Sequence, residues 1–204
     1  SANSFLPTAS KTTSMSVKGY YLRQFDFLGA AVNKELYNKT LEVESTFRSA
    51  AVIAASDEYN NWRKASVTHS PELGSFAGTL REKISGQLND VLSFLNMPPF
   101  DVKRIQVQLT AHNDGDYFNE HTDAGSDERL NDRILTFVYY FHGHPKSFEG
   151  GELVLLENEE VALDPVNDSI VFFNSLYRHR VNTIVCPSQK FEDGRFTLNG
   201  WVLK

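Results

Sequence analysis

The sequence predicts a mixed α and β fold that is mainly β, with N-terminal helices packed on a β-sandwich or barrel. Two observations support this prediction. Residues 76–95 carry apolar side chains at intervals of three and four, which is the period of a helix. After residue 100 the period changes, and short segments rich in β-branched and aromatic residues are separated by Gly, Pro, Asn and Asp. Helices followed by many short strands are typical of a sandwich or barrel covered by helices.

The helical front is predicted to span residues 27–96. Its first helix, over residues 27–48, has imperfect helical spacing and is preceded by Asp26 as a candidate N-cap. The second helix has one apolar stripe, which consists of Phe76, Leu80, Ile84, Leu88, Leu92 and Leu95. Pro98 and Pro99 end this helix because proline cannot continue it. Residues 56–73 are interrupted by Asn, Ser and Pro and are predicted to be irregular.

The β core is predicted over residues 103–204. Ile105, Val107 and Leu109 alternate with glutamines, as in a strand that buries one face. Further strands are expected over residues 134–141, 152–156, 169–173, 179–185 and 195–203. The sequence has no internal repeat, so residues 18–204 are expected to form a single domain. Residues 1–17 are rich in Ser, Thr and Ala and are predicted to be a flexible leader.

Composition limits the classes of partner. The chain of 204 residues has a net charge of -6 and no run of Lys or Arg, so we expect a small molecule or a peptide rather than nucleic acid. No apolar run approaches the roughly 20 residues of a membrane span. The single cysteine, Cys186, excludes an intrachain disulfide and is expected to be a small buried side chain. These features fit a cytoplasmic protein.

Two His-x-Asp pairs lie close together: His112 with Asp114, and His121 with Asp123. The segment Asn113-Asp114-Gly115-Asp116 predicts a turn, because Asn, Asp and Gly tolerate positive φ. His112 is therefore interpreted as a polar loop residue. The second pair lies in a segment that can be extended, where side chains two positions apart point to the same side. On spacing alone, a metal site and a buried histidine bonded to its neighbouring aspartate are equally good interpretations.

A metal site needs a third ligand. Three histidines are expected to be solvated loop or surface residues: His69, His142 and His144. His179 differs, because it opens a strand directly after a strongly apolar strand. With His121 and Asp123 it would complete a set of two histidines and one carboxylate. Such a set leaves coordination positions open, as in the non-haem Fe(II) oxygenases.

The order of motifs in residues 103–204 resembles that of the prolyl 4-hydroxylase-like group of 2-oxoglutarate- and Fe(II)-dependent dioxygenases. The motifs are His-x-Asp, a strand ending in YY, GGEL, a lone histidine before a strand, and RFTLNGW. The resemblance implies a double-stranded β-helix (jelly-roll) core with the N-terminal helices packed on one sheet. It also implies Fe(II) as the metal, 2-oxoglutarate and O2 as co-substrates, and ascorbate as a supporting reductant. The implied iron ligands are His121, Asp123 and His179.

The resemblance further implies a site for the far carboxylate of 2-oxoglutarate. Arg195 matches the basic residue of the family, and its planar guanidinium suits a carboxylate. Tyr140 matches a tyrosine that holds the same carboxylate in some relatives, and a buried aromatic side chain is the alternative for it. Gly150-Gly151 is expected to provide a tight turn or a close backbone approach. Trp201 is expected to be in the core.

The chain departs from the family pattern in one place. Arg195 lies sixteen residues after His179, farther than in many relatives, and residues 186–193 fill the additional length. This connection is a candidate for a rim or lid of the site, because long connections often carry function. The polar segments 56–75 and 124–132 are further candidates for the site entrance, with ordinary solvated loops as the alternative.

The implied activity is hydroxylation of a C–H bond, coupled to oxidative decarboxylation of 2-oxoglutarate, on a prolyl residue or an amino-acid-like substrate. Two alternatives remain open. One is a non-catalytic jelly-roll binding module whose histidines are structural. The other is a zinc hydrolase with the same three ligands. Arg195 in its motif favours the oxygenase, because neither alternative needs this residue.

Overall fold

The computed structural model describes residues 15–50, 62–125 and 128–204. Within these ranges the chain forms two α-helices, α1 (Ala30–Glu42) and α2 (Gly74–Phe94). The strands, in chain order, are β1 (Met15–Val17), β2 (Tyr21–Phe25), β3 (Arg48–Ser49), β4 (Arg63–Lys64), β5 (Ser66–Thr68), β6 (Arg104–His112), β7 (Tyr117–His121), β8 (Arg133–Phe141), β9 (Glu149–Gly150), β10 (Leu153–Leu155), β11 (Val161–Leu163), β12 (Ser169–Asn174), β13 (His179–Val181), β14 (Ile184–Val185) and β15 (Arg195–Leu203). Short 3-10 turns lie at Glu44–Thr46, Pro71–Leu73, Glu128–Leu130 and Phe191–Asp193.

Most of these strands belong to two antiparallel sheets. The large sheet has the order β1-β2-β12-β8-β15-β6-β5-β3, and the small sheet has the order β11-β10-β13-β7-β4. A separate ribbon pairs β14 with β9. The inner faces of the two sheets pack together where Tyr140 and Phe173 of the large sheet meet Leu153 and Leu155 of the small sheet. The predicted mainly β jelly-roll core is confirmed.

Strand β8 is buried on both faces, which explains its continuous apolar sequence ILTFVYYF. Phe137, Tyr139 and Phe141 belong to the layer between the large sheet and the helices. Val138 and Tyr140 belong to the layer between the two sheets. Full burial of one such side chain contributes about 1.5–3 kcal/mol to the stability of the fold. Because its side chains enter both layers, β8 links the two apolar layers of the domain.

The polar residues of β6 and β15 face the interior of the sandwich. In β15, Phe196 and Leu198 pack in the helical layer, whereas Thr197 and Asn199 line a cavity between the sheets. Strand β6 alternates in the same way and places Gln108 in this cavity. The alternation predicted for β6 is therefore present, and its polar face lines an internal site.

The helices cover the outer face of the large sheet, as predicted. Leu80 and Ile84 of α2 are fully buried in this layer, together with Leu36 of α1. The helix predicted over residues 76–95 is confirmed and begins slightly earlier, at Gly74. Among the described residues, no helix combines the length and apolar character that a membrane span requires.

The start of α1 depends on a residue that is distant in sequence. Asp26 is not the N-cap, because its backbone is left-handed (φ 50°) and the helix begins only after Gly29. The carboxylate of Asp168 instead accepts hydrogen bonds from the backbone N–H groups of Leu28 (2.8 Å) and Gly29 (3.0 Å). The hydroxyl of Tyr139 donates a third bond at 2.9 Å. Asp168 thereby ties the loop before α1 to the large sheet.

Two segments that were predicted to lack regular structure contain strands. Residues 15–17, which were assigned to the flexible leader, form β1 and pair with β2. Within the segment 56–73, β4 pairs with β7 and β5 pairs with β6. These strands are short and lie at or next to a sheet edge, where backbone pairing suffices and side chains carry little strand signal. Residues 1–14 and 56–61 lie outside the described ranges.

Replacement of Asp168 with Ala is expected to lower the free energy of unfolding by about 3 kcal/mol, because three donors lose their acceptor at once. Asp168→Asn keeps one acceptor oxygen and is expected to lose less. Urea unfolding followed by circular dichroism measures both values. If both variants were as stable as the wild type, the carboxylate would not hold the loop before α1.

Candidate metal centre

Three side chains with metal-binding atoms meet in the small sheet, at the end of β7 and the start of β13. His121 is the last residue of β7 and His179 is the first residue of β13, and the antiparallel ladder pairs the two. Asp123 reaches them from the turn after β7, so the extended segment that was predicted ends at His121. One ligand atom from each of the three residues lies within 4.8 Å of the others.

Backbone carbonyls orient both imidazole rings. His121 Nδ1 lies 2.7 Å from the carbonyl oxygen of Asn119, and His179 Nδ1 lies 2.9 Å from that of Tyr177. A carbonyl only accepts, so each Nδ1 carries the proton and each Nε2 keeps its lone pair. His121 Nε2 is 3.6 Å from Asp123 Oδ1, and His179 Nε2 is 3.4 Å from Asp123 Oδ2. Metal-binding histidines are commonly held in this way.

The large sheet holds Asp123 in place. Thr136 Oγ1 donates to Asp123 Oδ2 at 2.8 Å, and the backbone N–H of Asp123 donates to the carbonyl oxygen of Ser175 at 3.0 Å. The hydroxyl oxygens of Thr136 and Ser175 are 2.9 Å apart. These bonds fix the carboxylate so that each of its oxygens faces one histidine.

The protonation states at neutral pH suit a cation. Burial lowers the pKa of His179 to about 4, so its imidazole is neutral. Burial alone would raise the pKa of Asp123, but the neighbouring imidazole of His179, which gains a positive charge in acid, holds this pKa well below its usual range, with a further contribution from His121. The carboxylate is therefore ionised. Two imidazole nitrogens and a carboxylate are a donor set that fits a divalent cation such as Fe(II) or Zn(II).

The cluster opens on the cavity between the two sheets. The lining residues are Arg63, Gln108, Thr110, His112, Phe118, His121, Asp123, Thr136, Val138, Leu153, His179, Val181, Arg195, Thr197, Asn199 and Trp201. Sequence reasoning missed the polar members from β6 and β15, although their alternation with apolar residues was a usable signal. Trp201 was expected to be in the core, but it lines the cavity with the guanidinium carbon of Arg133 3.5 Å from its ring centre.

Arg195 is buried at the start of β15 and is 2% exposed. Across the described residues, no carboxylate forms an ion pair with it. Its guanidinium carbon lies 5.1 Å from the ring centre of Tyr140, whose buried hydroxyl has no hydrogen-bond partner in the described structure. A buried guanidinium without a counter-ion is unfavourable, so this end of the cavity suits an anion.

Gly150 and Gly151 allow close approaches of neighbouring groups, and Gly151 leaves room for the stem of Arg195. Both have positive φ, 70° and 74°. A Cβ on Gly151 would lie 2.7 Å from Cδ of Arg195, and a Cβ on Gly150 would lie 2.2 Å from the carbonyl oxygen of Thr183. The predicted close backbone approach is confirmed.

The interpretation of His112 as a polar loop residue is wrong. His112 is the last residue of β6, is 4% exposed and lines the cavity. The predicted turn is present, because the N–H of Asp116 donates to the carbonyl of Asn113 at 3.0 Å, but the strand continues up to the residue before it. The turn-forming residues after His112 predict where β6 ends, but they do not predict which side of the sheet its last side chain faces.

The remaining histidines lie outside the cavity lining. His69 and His144 are exposed, as predicted. His142 is 9% exposed and packs edge-on against Phe148 at 5.5 Å between ring centres, so its prediction as a solvated residue is wrong. Cys186 is fully buried, as predicted.

Residues 186–193 do not line the cavity, so the structure does not support a lid in this segment. The N–H of Cys186 donates to Asp114 Oδ1 at 2.9 Å, which ties the segment to the turn after β6. The ring centre of Phe191 lies 5.1 Å from that of Phe196, in the helical layer. The additional length therefore packs against the outside of the sandwich.

One of the two polar segments expected at the entrance contributes to the cavity. Arg63 of the segment 56–75 lines it, with its guanidinium carbon 5.0 Å from the ring centre of Phe118. No described residue of the segment 124–132 lines it. The short strand β4 gave no sequence signal for Arg63, because its position follows from pairing with β7.

Comparison with known proteins decides the family. The sequence profile of the 2OG-Fe(II) oxygenase superfamily matches residues 107–203, which include His121, Asp123, His179 and Arg195. An uncharacterised PKHD-type hydroxylase of Synechocystis is 37% identical over 205 residues, which cover 95% of this chain. The chain belongs to the 2OG-Fe(II) oxygenase superfamily. Members of this superfamily use Fe(II) and 2-oxoglutarate. The chain spans 66% of the length of its Synechocystis relative.

Solved structures share the fold of this chain. A prolyl-4-hydroxylase of Pseudomonas putida superposes with a TM-score of 0.67 at 17% identity, over 92% of this chain and 93% of that one. A prolyl hydroxylase in complex with a hypoxia inducible factor oxygen degradation domain peptide fragment from Trichoplax adhaerens gives 0.65 at 19% identity, over 91% and 84%. At these identities the likeness supports the jelly-roll fold.

The metal-free protein is expected to lose stability as the pH falls below the ordinary histidine pKa of 6.5. Burial lowers the pKa of His179 to about 4 and lowers that of His112 well below its ordinary value. Between pH 6.5 and pH 4 the unfolded chain binds more protons than the folded chain. Acid therefore lowers the free energy of unfolding, by about 2 kcal/mol at pH 5 for His179 alone.

Thermal unfolding in the presence of a chelator, from pH 7.5 to pH 5, measures this dependence. His179→Gln is expected to flatten the curve, and the exposed His69→Gln serves as its matched control and is expected to leave the curve unchanged. A wild-type midpoint that does not fall over this range would contradict the assignment of neutral buried histidines.

Proposed function

We propose that the chain is a hydroxylase that couples oxidative decarboxylation of 2-oxoglutarate to insertion of one oxygen atom of O2 into a substrate C–H bond. The observation that carries this proposal is the pairing of two features in one cavity. One is a cluster of two histidines and a carboxylate, and the other is a buried arginine without a carboxylate partner. A zinc hydrolase would use the cluster but not the arginine, and a binding module would need neither.

The proposed Fe(II) ligands are His121, Asp123 and His179. Bound iron would supply the activation of O2, which converts 2-oxoglutarate to succinate and CO2 and leaves the second oxygen atom for the substrate hydroxyl group. The backbone carbonyls behind the imidazoles and the hydroxyl of Thr136 would keep the ligand atoms in position during turnover. Protein ligands on one side leave the cavity side open for co-substrate and substrate.

Arg195 is proposed to bind the far carboxylate of 2-oxoglutarate. The guanidinium is a planar donor that remains charged, and burial strengthens its attraction for an anion. The unpaired hydroxyl of Tyr140 offers a second donor beside it. Gly151 keeps the space that the arginine stem needs. Burial of the carboxylate here would hold the 2-oxo acid end of the co-substrate towards the proposed iron ligands.

A prolyl residue in a peptide, or an amino-acid-like small molecule, is the proposed substrate. The solved structures of similar fold include prolyl hydroxylases, and one of them is in complex with a peptide. Succinate release with proline-containing peptides and with free amino acids would separate the two substrate classes. We further propose that ascorbate keeps the iron ferrous. We also propose that the protein works in the cytoplasm, whose reducing conditions suit a chain with a single cysteine.

Anaerobic addition of Fe(II) and 2-oxoglutarate to the protein is expected to give a weak visible charge-transfer band, because the 2-oxo acid and the three side chains would share one metal. His179→Ala is expected to abolish the band and succinate production. The exposed His69→Ala is the matched control and is expected to keep both. A colourless mixture, with wild type and His179→Ala binding iron equally, would rule out the iron site.

Arg195→Gln is expected to weaken the binding of 2-oxoglutarate by about 10- to 100-fold, because hydrogen bonds to a charged group are lost. Arg195→Lys keeps the charge without the planar fork and is expected to fall between the two. Calorimetric titration of 2-oxoglutarate into the Mn(II)-loaded protein gives these affinities. Equal affinity of Arg195→Gln and wild type would place the far carboxylate elsewhere, and unchanged Mn(II) affinity controls for the metal site.

A further inference from the structure

Strand pairing sets His112 directly opposite Arg195. His112 ends β6 and Arg195 begins β15, and the two residues are partners in the antiparallel ladder. Their exposures are 4% and 2%, and both line the cavity. The two side chains therefore meet inside the sandwich, at the end of the cavity proposed for the far carboxylate.

The contact between these residues defines the tautomer of His112. Arg195 Nη1 lies 3.2 Å from His112 Nδ1. A guanidinium has donors and no acceptor, so Nδ1 must accept this bond, and a neutral imidazole then carries its proton on Nε2. The neutral form agrees with the low pKa of His112, which follows from burial and from the nearby charges of Arg195 and Arg63.

The N–H group of the neutral His112 imidazole, at Nε2, has no hydrogen-bond partner in the described structure. Nε2 is buried, and no atom of the described structure accepts its hydrogen bond. Two further buried atoms around the guanidinium have the same shortage, namely Nε of Arg195 itself and the hydroxyl of Tyr140, whose ring centre lies 5.1 Å from the guanidinium carbon. Each unpaired buried group costs about 1–3 kcal/mol, so several around one guanidinium indicate a missing ligand. A carboxylate fits, because its two oxygens accept through about four lone-pair sites.

We propose that His112 is a positioning residue of the co-substrate site. This inference rests on the proposed function and adds to it a residue for which the sequence gave no role. Nδ1 of His112 holds the guanidinium of Arg195 in orientation, and the N–H at Nε2 donates to the far carboxylate of 2-oxoglutarate. The neutral imidazole adds a hydrogen-bond donor without adding a charge. Arg195 therefore provides the positive charge, and His112 orients both the guanidinium and the bound carboxylate.

Two oxo acids separate this role from a structural one. 2-Oxoglutarate and pyruvate share the 2-oxo acid group, but pyruvate lacks the far carboxylate. His112→Phe removes both nitrogens and keeps a planar ring. We expect it to weaken binding of 2-oxoglutarate to the Mn(II)-loaded protein by about 10-fold or more and to leave pyruvate binding unchanged. His112→Gln keeps one donor and one acceptor and is expected to recover most of the loss.

Water-proton relaxation by the bound Mn(II), which responds to weak as well as tight ligands, measures both affinities in each variant. Equal 2-oxoglutarate affinity in wild type and His112→Phe would overturn the proposal. An equal fall for both oxo acids would also overturn it, because the defect would then be structural. Failure of the wild-type protein to bind 2-oxoglutarate would remove the proposed function and this inference with it, and that result requires no variant.

Discussion

The antiparallel pairing of β7 with β13 is the contact on which the candidate metal centre depends. It sets His121 opposite His179, with the two ring centres 4.2 Å apart, although the residues are far apart in the chain. His121 ends β7 and His179 begins β13, so the ladder ends at the site and the turn after β7 can bring in Asp123. The large sheet completes the arrangement through Thr136, so the centre forms only when both sheets are in place.

The large sheet performs two tasks because its faces differ. Its outer face is apolar and packs under the helices, where residues such as Leu80 and Phe137 are fully buried. Its inner face is apolar at β8 and β12, and it is polar at β6 and β15, where it lines the cavity. Asp168 joins the two functions, because it holds the loop before α1 while its neighbour Ser169 begins β12. The helical front thus supports the sheet that carries the site.

Electrostatics distinguishes the two ends of the cavity. Near the histidines, the ionised Asp123 supplies the negative charge that a cation requires. At the other end, Arg195 supplies a buried positive charge that forms no ion pair with a carboxylate among the described residues. With a cation held by the histidines and Asp123, an extended dianion with a chelating oxo acid group at one end and a carboxylate at the other would match this polarity. At this positive end, the hydrogen bond from Arg195 to the neutral His112 orients the guanidinium.

The sequence by itself determined the fold class, the apolar stripe of α2, the main strands and the residues that meet at the metal centre, because periodicity and ordered motifs are local properties. Tertiary structure alone decided the rest. His112 was misread because turn residues mark where a strand ends but not which side its last residue faces. Asp26 was a plausible cap, yet Asp168 holds the loop before α1, since only folding brings its carboxylate to these N–H groups. Arg63 joins the cavity through the pairing of β4 with β7, a contact set by backbone groups that every residue shares.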